Sequence, residues 1–393
     1  MLPSKRSQVP GFEVMSILGR IDALRASGRD VISLTAGEPG SGAPVAVNQA
    51  AAAIHASNTV LNYTAAMGIM PLREAIAAHY ERWYGVSVPA ERIAVTTGSS
   101  GAFMLSFLAA FDTGDRVALA RPGYPAYRNI LSALGVEVVD LDCGPEERFQ
   151  PTVAQLQAEL DAGRSLAGLI LASPANPTGT MIGREQLSEI SQWCAENGVQ
   201  LISDEIYHGI SYGAENVSAS EMGSAAVVIS SFSKYWGMPG WRLGWTVLPE
   251  HLVDPVSRLA GNVALCPPHA TQLAAVEAFS PESLEFAASQ VSGYAAAREL
   301  VLAAIPSLGW GEVAPADGAF YVYAHLGEQL SRYSDSAQYC QALLQDAGVA
   351  IVPGTDFDPV AGGEWVRLSL APGKNAVAEG LSRILRFQRG EHS

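Results

Sequence analysis

The sequence predicts an α/β fold, a mostly parallel central sheet with helices on both faces, together with a smaller α+β domain. Three observations predict it. Short β-branched runs alternate with stretches whose apolar residues recur at helical spacing through the middle of the chain. Those runs are nearly continuous in apolar residues, as strands covered on both faces must be. After about residue 285 the alternation gives way to a long helix followed by well-separated strands.

Taken in order, a helix is expected near Val14 to Ala26 and a strand at Val31-Ile-Ser-Leu. Residues 1–42 are expected to pack with the C-terminal domain as an N-terminal segment. Residues 43–285 form the large domain. Its expected strands are Ile93-Ala-Val-Thr-Thr, Arg116-Val-Ala-Leu-Ala, Val136-Glu-Val-Val-Asp-Leu, Gly168-Leu-Ile-Leu-Ala, Val199-Gln-Leu-Ile-Ser and Ala226-Val-Val-Ile-Ser. Helical spacing marks Pro71 to Trp83 and Arg184 to Asn197. Residues 286–393 form the small domain, with a helix from Phe286 to Ile305, a strand near Ala319 to Ala324, a further helix and the strand Trp365-Val-Arg-Leu-Ser-Leu.

Composition removes several function classes. The chain has 393 residues, 48% of them apolar, and a net charge of -15, a balance that argues against binding a phosphate backbone. Met1 to Pro10 is polar and has no hydrophobic signal region. The longest apolar run, Gly101 to Phe111, falls short of the roughly 20 residues that span a bilayer. Cys143, Cys194, Cys266 and Cys340 are scattered without a C-x-x-C pair, so they read as core or incidental thiols of a reducing compartment. The seven histidines show no paired ligand spacing, so no metal is expected. A cytoplasmic, soluble enzyme-sized protein is the expectation.

Arginine outnumbers lysine 21 to 3, and one lysine sits where arginine could not do the work. Lys5 and Lys374 read as solvated surface, Lys374 in a turn-like Pro-Gly-Lys-Asn stretch. Lys234 follows the apolar run Ala-Val-Val-Ile-Ser-Ser-Phe-Ser, in a segment with almost no other charge. A guanidinium stays protonated, whereas an amine in a desolvated site can lose its proton and attack a carbonyl. The plainer alternative is a snorkelling lysine with its ammonium in water.

Ligands of open α/β sheets bind beyond the carboxyl ends of the strands. Asn176, Asp204 and Lys234 fall just beyond three successive expected strands. An aspartate after an apolar strand is costly unless it meets a cation or donors; a helix N-cap is its structural alternative. Together the three residues suit an amine that condenses with a cofactor aldehyde and a carboxylate that keeps a pyridine nitrogen protonated. Thr97-Gly-Ser-Ser-Gly-Ala follows a strand and opens an apolar helix, which gathers backbone N–H groups and the positive helix end as a phosphate cradle would; a Gly-Ser-rich tight turn is the alternative. It is no P-loop, since no Gly-Lys-Ser/Thr follows. Arg242 could add permanent charge.

Ser231-Phe-Ser-Lys234 followed by Gly240-Trp-Arg-Leu-Gly, with Asn176-Pro-Thr-Gly and Asp204-Glu-Ile-Tyr207 upstream, resembles the class I/II aminotransferases. These are pyridoxal-5'-phosphate enzymes of fold-type I, the aspartate aminotransferase superfamily, and the resemblance runs from about Val31 to Ser369. It implies that Lys234 forms the aldimine and shuttles a proton, that Asp204 pairs with the pyridine nitrogen, and that Asn176 and Tyr207 bond the ring oxygen. It implies that Tyr124 stacks on the ring and that Ser99, Ser100, Ser231 and Arg242 hold the phosphate. Tyr63 would reach over from a second subunit of a homodimer. Arg367 would clamp the substrate α-carboxylate beside the backbone of Gly37.

The implied reaction is ping-pong transfer of the amino group of an L-amino acid to a 2-oxo acid, with 2-oxoglutarate the expected acceptor. No cation for a distal carboxylate stands out; Arg128 and Arg20 are only candidates. The segment expected to close over the substrate, Phe12-Glu-Val-Met-Ser-Ile-Leu, is mostly apolar, which tilts the expectation toward neutral donors. A β-elimination (C–S lyase) on the same fold and an effector-sensing regulator remain as alternative functions.

Overall fold

A computed structural model describes residues 2–11 and 13–391. The candidate closing segment therefore has its first residue, Phe12, outside the described residues. Among the described residues twelve strands are formed. They are β1 (Ile32–Ser33), β2 (Ile93–Thr96), β3 (Arg116–Arg121), β4 (Glu137–Asp142), β5 (Gly168–Ala172), β6 (Gln200–Asp204), β7 (Val227–Ser231), β8 (Gly244–Val247), β9 (Tyr321–His325), β10 (Val349–Ala350), β11 (Val352–Pro353) and β12 (Trp365–Ser369). The α-helices that frame them are α1 (Glu13–Ala26), α2 (Val45–Ala56), α3 (Met70–Tyr84), α4 (Gly98–Ala110), α5 (Pro125–Leu134), α6 (Val153–Asp161), α7 (Arg184–Glu196), α8 (Glu250–Val263), α9 (His269–Ala275), α10 (Pro281–Leu308), α11 (Ser336–Ala342) and α12 (Lys374–Gln388).

The central sheet has seven strands in the order β2-β8-β7-β6-β5-β3-β4. Each expected strand of the large domain forms, shifted by a residue at most at its start. Strand β8 was not anticipated. It runs antiparallel to both β2 and β7, in the stretch that follows Arg242. Its short Gly-Trp-Thr-Val run is entirely buried, so alternation gives no face signal there.

Alternation along the strands sends side chains to two separate apolar layers. Val95, Leu169, Leu171, Leu201, Val228 and Trp245 join one core, with Ile76 and Tyr80 of α3 and Leu187 and Ile190 of α7. Ala94, Val117, Ile170, Ile202, Val227 and Ile229 join the other, with Phe103 and Phe107 of α4, Leu131 of α5 and Leu252 of α8. The apolar run that was too short for a membrane span is therefore α4, buried on the second face.

A three-stranded antiparallel sheet, β11-β12-β9, and a two-stranded parallel pair, β1-β10, complete the fold. The pairing of Ile32 with Val349 ties the N-terminal strand to β10 near the other end of the chain. Helix α10 starts earlier and ends later than its expected bounds, because the Ser280 hydroxyl caps its N-terminus and Gly309, at φ 60°, closes its C-terminus. Lys374 is exposed as expected, but it opens α12 rather than sitting in a turn; Gly373 at φ 89° makes the bend before the helix.

The loop that carries Lys234 rests on an aromatic floor. Phe232 is fully buried, with its ring centroid 5.0 Å from Trp245, 5.4 Å from Trp236 and 5.5 Å from Phe279. Phe232→Ala is expected to destabilise the chain by about 3–5 kcal/mol through the cavity it leaves. A lowered urea midpoint checks this, and a midpoint unchanged from wild type would show that the floor is not what holds the loop.

Candidate active site

The parallel strands of the central sheet deliver their carboxyl ends to one edge, and most of the expected site residues stand there. Asp204 is the last residue of β6 and Ser231 the last of β7. Tyr124 precedes α5, Asn176 follows β5, and Ser99 and Ser100 lie in the first turn of α4. Because β8 is antiparallel, its start lies at this same edge, opposite the ends of β2 and β7. That reversal brings Arg242 beside α4, a placement that the parallel reading alone could not supply.

The backbone there is close-packed. A Cβ on Gly244 would lie 2.8 Å from the amide nitrogen of Ser99, and one on Gly98 would lie 2.9 Å from Cζ of Arg242. Gly98 also has φ +68°, in the region glycine favours. The guanidinium of Arg242 thus lies against the first turn of α4, with one nitrogen donating to the Pro239 carbonyl at 3.0 Å. Helix N-terminus, two serine hydroxyls and one arginine form a cradle suited to a phosphate. Ser231 stands behind it, fully buried. Its hydroxyl bonds Ser233 Oγ at 2.7 Å and accepts the Ser233 N–H at 2.9 Å, so it braces the loop that carries Lys234.

Asp204 is buried and Lys234 half-buried. The ammonium of Lys234 donates to the carbonyl of Gly37 at 2.5 Å and lies 5.6 Å from the ring centroid of Tyr207. Burial brings the Lys234 pKa down to about 8, against the charges of Asp204 and Glu38, which hold it up. Asp204 is 3% exposed. Burial pushes its pKa up to about 6, opposed by the Tyr127 hydroxyl, the Ile206 N–H at 3.1 Å and the charge of Lys234. The hydroxyl of Tyr127 donates directly to the carboxylate.

The second half of the site is an arginine without a carboxylate. Arg367, in the middle of β12, is 3% exposed and forms no ion pair with any described carboxylate. One terminal nitrogen donates to Asn176 Oδ1 at 2.7 Å and the other to the Thr35 carbonyl at 2.9 Å, while Nε has no partner. Its guanidinium lies 4.3 Å from the ring centroid of Tyr321 and 4.7 Å from that of Phe357. The Tyr321 hydroxyl is 2.8 Å from that of Tyr207, which links the arginine to the Lys234 side of the crevice. A Cβ on Gly37 would come within 3.3 Å of the same Tyr321 hydroxyl.

Lys234, Asp204, Tyr207, Asn176, Gly37 and Arg367 are therefore joined through direct contacts and shared neighbours. Tyr124 borders them, its ring edge-on to Tyr127 at 5.4 Å and its hydroxyl raised to about 12, chiefly by burial. Tyr63 stands apart, 81% exposed. Sequence reasoning missed Tyr127, Tyr321, Thr35 and Phe357. Tyr127 had a signal, three residues after Tyr124 at the start of a helix, where both rings face one side. The other three reach the site only through tertiary packing.

These residues fit pyridoxal phosphate on their own chemistry. An amine of lowered pKa faces a buried carboxylate across the crevice, a helix-end cradle lies at one side, and the arginine with an orphaned Nε lies at the other.

Residues 29–384 match the family described as aminotransferase class I and II. The chain belongs to that family and is a pyridoxal-phosphate-dependent enzyme that transfers amino groups. Over 382 residues, 96% of each chain, it is 50% identical to the valine–pyruvate aminotransferase of Mycobacterium tuberculosis. A crystal structure of an aminotransferase from Mycobacterium tuberculosis superimposes with a TM-score of 0.94 at 48% identity, covering 99% of this chain and 100% of the other. The aspartate aminotransferase of Thermus thermophilus with maleate gives 0.91 at 30% identity, covering 98% and 99%.

In the cofactor-free protein, Lys234 is expected to lose its proton near pH 8. Replacing Asp204 by Asn removes a negative charge that favours the ammonium, so the midpoint should move lower still. The pH dependence of trinitrobenzenesulfonate labelling at Lys234, read by mass spectrometry, checks both; a midpoint unmoved or raised in Asp204→Asn would contradict the coupling.

Proposed function

We propose that the chain moves the amino group of a neutral L-amino acid, valine best, to a 2-oxo acid in two half-reactions, with pyruvate and 2-oxoglutarate as the acceptors to rank. The observation that carries the reading is Arg367, a buried guanidinium without a protein carboxylate. Such a charge is costly unless a ligand completes it, and a planar fork suits a carboxylate. Neutral donors are favoured by the cavity next to it. A space of about 270 Å³ runs from Tyr124 and Asn176 past Leu119, Ile170 and Phe357 to Glu13 and Asp356. Its one arginine, Arg128, is held by two contacts to Asp140, which makes it a poor partner for a distal carboxylate. The name of the Mycobacterium tuberculosis relative points to the same donor class and to pyruvate.

Pyridoxal phosphate, when bound, supplies a carbonyl for amines and an electron-accepting pyridinium ring. In this reading Asp204 keeps the pyridine nitrogen protonated, with Tyr127 steadying the carboxylate. Asn176 gives its free amide hydrogens and Tyr207 its hydroxyl to the ring oxygen. Tyr124 packs on the ring face, while Ser99, Ser100, Arg242 and the Ser231-braced loop hold the phosphate. Arg367 and the Gly37 backbone orient the α-carboxylate so that the Cα hydrogen points at Nζ of Lys234. That nitrogen would take the proton and return it elsewhere, a role that its lowered pKa in the cofactor-free protein suits.

A homodimer in the cytoplasm completes the proposal. The exposed apolar side chains Val60, Leu61, Tyr63, Val263 and Leu265 lie on two segments tied together, with His269 Nδ1 2.9 Å from the Asn62 carbonyl. A neighbouring subunit covering them would place Tyr63 near its phosphate cradle. Residues 1–42 and 286–393 would act as a small unit against 43–285. Among the described residues no helix is long and apolar enough to cross a membrane. No observation favours elimination over transfer.

The purified protein should be yellow, and borohydride should bleach it with label on Lys234; label on Lys5 or Lys374 would sink the assignment. In a donor panel, valine should exceed aspartate in kcat/KM by on the order of tenfold or more, and the reverse order would restore a dicarboxylate reading.

Arg367→Leu should lower kcat/KM by about 100-fold or more for every donor, because two charged hydrogen bonds worth about 1.5–3 kcal/mol each are lost. The visible absorbance should stay as it is. A loss confined to dicarboxylic substrates would move Arg367 to a distal subsite.

A further inference from the structure

The turn Gly354–Asp356, with the Phe357 that follows it, touches three parts of the substrate side at once. Asp356 accepts the backbone N–H of Glu13 at 3.2 Å and is also bonded by the N–H of Val14. These are the first N–H groups of α1, so the carboxylate works as a helix cap supplied from 343 residues away. The Thr355 hydroxyl donates to the Glu13 carboxylate at 3.2 Å and strengthens the same joint. One residue on, the Phe357 ring lies under the Arg367 guanidinium, and its carbonyl accepts the N–H of Gly123, the neighbour of Tyr124.

All of these groups border one cavity. Glu13, Thr355, Asp356, Phe357, Tyr124 and Asn176 line it together, and Pro10 and Gly11 close its outer side. The Pro10 carbonyl reaches Asn129 on α5 at 3.4 Å, so the chain before α1 also leans on the opposite wall. The start of α1 has one apolar anchor there, the half-buried Val14, which packs against the cluster of Phe149, Tyr323, Val352 and Phe357 and so works with the cap. Among the described residues, Ile17 and Ile21 are its only buried side chains, and both lie one turn or more beyond the capped end.

We propose that Asp356 is a positioning residue for substrate binding: by capping α1 it seats the N-terminal end of that helix against the cavity beside Arg367, and so holds the α-carboxylate clamp and the Tyr124 loop in register. The proposal rests on the reading of Arg367 as the clamp. Burial raises the Asp356 pKa, while the two backbone N–H groups and the charge of Arg367 act the other way, as expected for a carboxylate partly withdrawn from water by α1. Phe357 and Gly123 extend the effect, because a turn pulled out of place by a free helix end carries its neighbouring backbone with it.

The test compares Asp356→Ala and Asp356→Asn in the holoenzyme. Alanine removes the cap, whereas asparagine caps a helix about as well as aspartate. Asp356→Ala should raise KM about tenfold for donor and acceptor alike, with kcat within about twofold and the visible spectrum unchanged. Asp356→Asn should restore KM to near the wild-type value. A rise restricted to some donors would overturn the proposal, since it would make Asp356 a side-chain contact rather than a positioning residue. Equal KM in Asp356→Ala and wild type, equal damage in both variants, or a loss of kcat alone would overturn it too. Arg367→Leu assayed in parallel separates the two readings. If it raises KM and Asp356→Ala does not, only this inference fails; if it leaves KM unchanged, the clamp itself is misassigned.

Discussion

The site depends on a half-buried lysine and a buried aspartate that act on each other through space without forming an ion pair. Either group alone would be expelled to water or neutralised. Together they are kept apart by the geometry of the sheet edge. Each still sustains the other's charge through space: Asp204 holds the Lys234 ammonium up, and Lys234 holds the Asp204 carboxylate down. The result is a pair poised within reach of neutral pH, an amine near 8 and a carboxyl near 6. A closed salt bridge would leave no room between the two for a ligand, and full exposure would return both to ordinary values.

That poise is paid for by the sheet around it. Strands β5, β6 and β7 are apolar through their middles, and β6 and β7 end on polar residues at the carboxyl edge, Ser203 and Asp204 in β6 and Ser230 and Ser231 in β7. The antiparallel β8 then returns the chain to the same edge. A parallel strand in its place would begin at the far side and carry Arg242 away from α4. One reversed strand thus sets the distance between the amine and the phosphate cradle. Arg367 comes from another sheet altogether, and Asn176 is the joint between the two, bonded to Arg367 from the loop after β5.

Much of this was legible in the sequence, and what escaped it follows a physical rule. Strands buried on both faces, such as β2, β5, β6 and β7, announce themselves by apolar runs, and the edge strand β4 by the alternation of its valines and leucine with acidic residues, so all were found to within a residue at their starts. Lys234, Asp204 and Asn176 were found because charged and polar groups interrupt those runs. Strand β8 is short and follows a residue with positive φ, Arg242 at 51°, so no pattern marks it as a strand or fixes its direction. Tyr321 and Phe357, which flank Arg367, read as ordinary core aromatics. Asp356 reads as a turn residue, and only the fold reveals that its partner is the other end of the chain. Local patterning reports what a residue is buried in, not what it is buried against.

The scarcity of lysine bears on how the enzyme is assembled. An aldehyde in a cell reacts with whatever unprotonated amine it meets, and an ordinary lysine is unprotonated only about one part in a few thousand at pH 7. An amine whose pKa is about 8 is unprotonated roughly one part in ten at that pH. The chain therefore offers a carbonyl compound three side-chain amines, and the one in the crevice is made readier to react by its lowered pKa. Surface charge made of arginine presents no rival nucleophile. The chain's taste in cations thus acts as a chemical filter that leaves few places for the cofactor to be trapped unproductively.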